Sequence, residues 1–158
     1  MPQETSSATL IKEIQHLVDQ SWQRWLTAVH HMPEAELSTA KVCGDWTTKD
    51  LMGHVAVWDQ VAIDKIREVQ EGIPFHQLPF ERRNAEEAAA RADRSLDDQR
   101  GDMVLTHGRL QAALRAAARE APEKLERIRD WIAEDTWNHY DEHTAQLESW
   151  MKAHPVVG

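Results

Sequence analysis

The sequence of 158 residues predicts an all-α fold, a single four-helix bundle spanning residues 1–158. Three observations lead there. Four long segments place apolar residues three and four positions apart, the spacing of one helix face. All six prolines fall outside those segments. The alternating β-branched runs that a sheet requires are absent. The length suits one domain, and a chain of this size buries a core without disulfide or metal staples.

The first helix is predicted over about 7–31, where Leu10, Ile14, Leu17, Val18, Trp22, Trp25 and Val29 form one stripe and Pro33 follows. Residues 33–46 read as a connection, with Pro33, Ser38 and Gly44 as breakers. Thr47 is placed to cap the second helix, with Asp50 closing a capping box and Trp46 packing on Leu51. That helix runs to about Gln70, where Gly72 and Pro74 stop it. Residues 72–79 read as a loop, and residues 84–92 as a short helical turn. The third long helix is predicted over about 95–120. Ser95 and Asp98 repeat the capping signature, and Met103, Leu110, Ala113, Leu114 and Ala117 lie on its buried side before Pro122 breaks it. The fourth runs from about Leu125 or Arg129 to Lys152, and Pro155 closes it. Two connections are long, so the helices need not simply alternate up and down.

The formal net charge of −9 argues against nucleic acid as the main partner, because phosphate binding needs a basic footprint. Arg82, Arg83, Arg91 and Arg94 are the densest basic stretch, but acidic residues interleave with them as on a solvated face. No run approaches the ~18 apolar residues of a membrane span, and the polar stretch Met1 to Thr9 does not read as a signal peptide. Cys43 is the single cysteine, so an intramolecular disulfide is impossible and a cytoplasmic location is expected. Its loop offers only Lys41 as a nearby charge, little to activate a thiol.

Three of the nine histidines stand out by position. In Trp137-Asn138-His139-Tyr140-Asp141-Glu142-His143, the two histidines are four apart and project about 40° from one another. Ile132, Thr136, Leu147 and Trp150 fall on or near that face, so the pair points inward. In the second helix, His54 lies between Val61 and Trp58 on the apolar stripe and points inward too. Two facing helices therefore offer three imidazoles to the interior, where bundles build metal sites. A His-x-x-x-His spacing alone also arises by chance, and a single buried histidine is usually satisfied by a hydrogen bond. Three buried imidazoles without a common partner would be costly, which favours a shared divalent ion. Three histidines suit zinc, nickel, iron or copper and leave a position open, as in catalytic zinc sites. A metal so held lowers the pKa of a bound water or thiol.

Other groups carry weaker expectations. Glu142 and Asp135 lie at the edge of the histidine face. Each can serve as a general base or orient a ligand ring, or be a surface charge, the reading preferred for Asp135. Tyr140 can donate a hydrogen bond into the pocket or simply pack. Glu142 and Tyr140 are thus the candidate catalytic residues. Trp58 and Trp150 are expected to wall a pocket. His16, His30, His31, His76, His107 and His154 share no geometry.

The pattern Trp46-Thr47-x-x-Asp50-x-x-x-His54-x-x-x-Trp58, followed by His139-x-x-x-His143 and Trp150, resembles the DinB/YfiT-like superfamily of four-helix metalloproteins. The segment His139 to His143, with Asn84 after the second helix, is most similar to the ClbS/DfsB branch. The resemblance covers residues 7–152. It implies an up-down-down-up bundle, often a homodimer, with His54, His139 and His143 as a triad that commonly holds zinc or nickel. Characterised relatives include thiol-dependent transferases and isomerases using bacillithiol, mycothiol or glutathione. The ClbS branch includes a resistance protein that hydrolyses a cyclopropane in a genotoxin. Three functions are open for this chain. One is a metal-dependent hydrolase or thiol transferase acting on a small electrophile, with a low-molecular-weight thiol as partner. The second is a bundle that sequesters a small molecule without turnover. The third is a structural site in a dimer.

Overall fold

The computed structural model describes residues 5–73 and 79–156. Pro74 and His76, within the loop expected over 72–79, lie outside the described residues. The fold is all-α, as the apolar stripes require. Helix α1 is Ser7–His31, α2 Thr48–Glu71, α3 Phe80–Arg91, α4 Leu96–Ala117, α5 Pro122–Ile132 and α6 Trp137–Ala153. Local chemistry sets the boundaries. The Ser6 side chain accepts from the Thr9 N–H at the start of α1. At α2 both halves of the capping box form: the Thr47 N–H donates to Asp50 Oδ2 (2.9 Å) and the Asp50 N–H to Thr47 Oγ1 (3.2 Å). Gly72, at φ +69°, ends α2 in the left-handed conformation that a Cβ disfavours. Ser95 accepts from the Asp98 N–H (3.0 Å) at α4. Pro122 opens α5 at its first turn, where its missing N–H costs nothing.

Three expectations are corrected. The connection over 33–46 holds a 3-10 turn at Glu34–Glu36 and a small antiparallel hairpin, β1 (Lys41–Cys43) against β2 (Trp46–Thr47). The short turn expected over 84–92 is the whole of α3, which contains no buried residue. The fourth helix is broken. Thr136 sits at φ −119°, ψ −102°, and the Asn138 N–H reaches back five residues to the Ala133 carbonyl (3.1 Å). Helices α5 and α6 thus share the fourth position of the bundle.

Contacts between the helices fix their directions. Gln99 donates to the Lys49 carbonyl (3.3 Å) and His107 meets Asp59 (3.0 Å), so α2 and α4 run parallel. Trp25 Nε1 donates to Met103 Sδ and the Trp22 ring stacks on His107, so α1 and α4 run opposite. Glu13 pairs with Arg129 and Arg24 with Asp141, so α1 runs parallel to α5 and α6. The bundle is therefore up-down-down-up. Parallel neighbours need a long return. At 1.5 Å per residue α2 spans about 36 Å, and the segment carrying α3 covers that distance. Trp25, Leu51, Leu110, Leu125, Ile132 and Leu147 are among the fully buried residues between the helices. Gly53 leaves room for the side-chain amide of Gln99 on α4, which a Cβ there would displace. Among the described residues no helix is long and apolar enough to cross a membrane.

Candidate metal centre

His54 comes from α2 and His139 and His143 from adjacent turns of α6. The antiparallel pairing of those helices brings the three rings together edge to face, at 70–80° to one another. His139 Nε2 lies 2.8 Å from His54 Nε2 and 2.9 Å from His143 Nε2. His143 Nδ1 donates to Gln146 Oε1 (2.7 Å), which fixes the tautomer and leaves the His143 Nε2 lone pair pointing at the cluster. A proton on His139 Nε2 can serve only one of its two neighbours well. The remaining lone pairs oppose one another, and a cation placed among them resolves the conflict. This donor set fits a divalent transition metal held by His54, His139 and His143.

Burial keeps the rings neutral. It pushes His54 down to about 3, with the His143 ring adding to the effect. His139 is held well below the usual imidazole range by burial and then by its two neighbours. The Asp135 carbonyl opposes that shift, but His139 Nδ1 finds no partner of full hydrogen-bond geometry. His143 is lowered by burial, with the Gln146 bond and the Glu142 charge opposing.

These shifts set a pH dependence for the metal-free protein. Below the ordinary value of 6.5 the unfolded chain binds protons that the folded chain refuses. Stability therefore falls as pH falls from 6.5 toward 3. Between pH 7 and pH 5 the loss is expected to be about 2 kcal/mol for each imidazole held neutral throughout. Asp59 and Asp135, both raised above 3.8 by burial, act with the opposite sign in the range upward from 3.8. Urea unfolding of the wild type beside His54→Leu/His139→Leu isolates the histidine contribution, because the carboxylates are common to both. Equal acid losses in the two would overturn it.

The triad forms the floor of a cavity of about 390 Å³. Trp46 and Trp58 wall it, Phe80 and Asn84 of α3 lean over it, and Trp58 Nε1 donates to Asn84 Oδ1 (2.9 Å). Cys43 of the hairpin lines it as well. Burial raises the thiol pKa, Glu142 adds to the rise and a Gln146 hydrogen bond opposes it. Glu142 is exposed and lines the cavity.

Three expected positions differ. Asp135 is no surface charge: it is 4% exposed, lines the cavity and pairs with Lys65 at 2.7 Å. The break between α5 and α6 turns it inward. Tyr140 is fully buried, and its hydroxyl donates to Asp59 rather than into the cavity. Trp150 stacks on His154 in a separate surface hollow. The residues that sequence reasoning missed are Gln146, Lys65 and the two buried partners of Tyr140, Asp59 and His107. Asp59 and His107 are polar residues on apolar stripes, the one signal that marked them out.

The family model of the DinB superfamily matches residues 9–148. The chain belongs to the DinB superfamily. No curated protein and no solved structure matches it. In this DinB-superfamily protein the histidine triad, drawn from the second position of the bundle and from α6, is a buried cluster that could hold a metal ion.

Proposed function

We propose that this DinB-superfamily protein is a metal-dependent enzyme, a hydrolase or thiol S-transferase, that acts on a small electrophilic molecule in detoxification or self-resistance. The observation that carries the reading is the convergence of three neutral imidazole nitrogens at the floor of an accessible cavity. A divalent ion there, zinc or nickel, would supply Lewis acidity to a water or thiol. The chain supplies the rest. Trp46 and Trp58 hold the substrate against the floor. Glu142, on the same turn as His143, is the base that accepts the proton released by the nucleophile. Asp135, held by Lys65, orients polar groups of the substrate. Placement in the ClbS/DfsB branch and a homodimeric state belong to the same proposal.

A second reading, sequestration without turnover, is favoured by the thiol of Cys43 being held protonated and by the Tyr140 hydroxyl facing away from the cavity. Elemental analysis of untagged protein is the first test. One equivalent of a transition metal is expected in the wild type and none in His54→Ala/His139→Ala. Gln146→Ala is expected to weaken the metal about 10–100-fold, the usual cost of losing the partner of a ligating ring, as read by chelator competition. No metal after reconstitution with zinc and nickel would leave sequestration as the function.

A further inference from the structure

The cavity above the histidines has a charge pattern of its own. Its floor is three neutral rings. Its mouth carries the exposed carboxylates of Glu134 and Glu142 and the exposed ring of Phe80, with the buried ring of Trp58 on the wall behind it. Asn138 Nδ2 donates to Glu134 Oε1 (2.8 Å) and holds that carboxylate in place. The Trp58 and Phe80 rings stand 5.2 Å apart, centroid to centroid, at 39°. Asp135 adds a third carboxylate on the wall, already paired with Lys65. No lysine or arginine is among the described residues that line the cavity. Arg91, beside the neighbouring hollow, is engaged by Gln99 and Asp102.

Aromatic faces beside carboxylates attract organic cations, because the ring quadrupole and the carboxylate charge act in the same sense. An anion entering the same mouth meets two unneutralised carboxylates and no guanidinium fork. The net charge of −9 adds a long-range preference of the same sign. We propose that the cavity of the metal-free protein selects small organic cations over anions, seating an alkylammonium group among Trp58, Phe80, Glu134 and Glu142 with the electrophilic end toward the histidines. The orientation rests on the reading of the triad as the reactive end.

The test uses three probes of one shape: benzyltrimethylammonium, benzyl alcohol and benzylsulfonate. Quaternary nitrogen cannot ligate a metal, so its binding reports the mouth alone. Tryptophan fluorescence titrations are run on the full chain, metal-free and zinc-loaded, with the zinc content of each sample measured. The cation is expected to bind about tenfold tighter than the alcohol, with the sulfonate weaker than both. Glu134→Gln/Glu142→Gln changes two exposed side chains, so its melting temperature is expected to match the wild type while the preference falls below about threefold. Sulfonate binding as tight as the cation in the metal-free protein overturns the proposal, as does an undiminished preference in the folded double variant. The two readings separate cleanly. Protein that takes up one zinc but favours the sulfonate in its metal-free form keeps its metal site and loses the charge selection. Protein that holds no zinc but favours the cation loses the metal reading and supports the charge selection.

Discussion

His139→Leu is expected to abolish zinc binding and, in the same protein, to raise the stability of the metal-free fold. His139 is 8% exposed, its buried Nδ1 has only the Asp135 carbonyl beside it, short of full hydrogen-bond geometry, and its Nε2 faces two other ring nitrogens. A buried polar group left unsatisfied costs about 1–3 kcal/mol. Leucine of similar bulk removes that cost, so a gain of about 1–2 kcal/mol is expected without metal. The wild type behaves in the opposite way. Zinc at a thousandfold excess over its dissociation constant adds about 4 kcal/mol. For a domain of this size that is a rise of roughly 8–16 °C in Tm. Thermal melts with zinc and with a chelator check both halves. A variant stabilised by zinc as much as the wild type would place the ion elsewhere. A chelated variant that melts below the wild type would show that the ring supports the fold by itself.

Such a trade between folding and ligation explains why the triad was legible in the sequence. A histidine on an apolar stripe conflicts with burial, and three of them on two facing helices conflict in one place. The periodicity of Leu51 to Val61 and of Ile132 to Leu147 was enough to turn all three inward. The capping box at Thr47 and Asp50 was legible for a similar reason, since both partners lie within one turn. What the sequence hid is not local. Ile132, Thr136 and Leu147 keep helical spacing through residues 133–136, and no glycine or proline marks the break there. Without the break, Asp135 falls at the edge of a helix face and reads as a surface charge. With it, the carboxylate meets Lys65, seventy positions earlier, inside the cavity wall. Helix α3 has no buried face to create a stripe, so its extent was underestimated. His107 seemed unrelated to the other histidines because its partners, Asp59 and Tyr140, are 48 and 33 residues away.

Asp59→Ala is expected to destabilise the metal-free protein by about 3–5 kcal/mol, the cost of leaving a buried charged or polar partner uncompensated. Asp59 is fully buried on α2 and joins two other helices. His107 Nδ1 of α4 lies 3.0 Å from Oδ2, and the Tyr140 hydroxyl of α6 donates to Oδ1. Trp22 of α1 stacks on the His107 ring at 3.6 Å and 3°, so all four positions of the bundle meet at this point. Burial raises the Asp59 carboxyl, while His107 and Tyr140 oppose the rise. Burial and the Asp59 charge hold Tyr140 well above the usual phenol range, so it remains a donor. Alanine removes the acceptor from both partners at once, and His107 Nε2 already lacks one. The expected fall in Tm is roughly 6–20 °C. Replacing the set together, as Asp59→Leu/His107→Leu/Tyr140→Phe, is expected to cost far less, because no polar atom is then left alone. Tyr140 follows His139 directly and stands three positions before His143, so the single variant should also loosen the rings that face His54. Its zinc affinity, by chelator competition, is expected to fall while the triple variant retains more of it. If Asp59→Ala melts within about 2 °C of the wild type, less than 1 kcal/mol separates them and the buried carboxylate does not hold α2, α4 and α6 together.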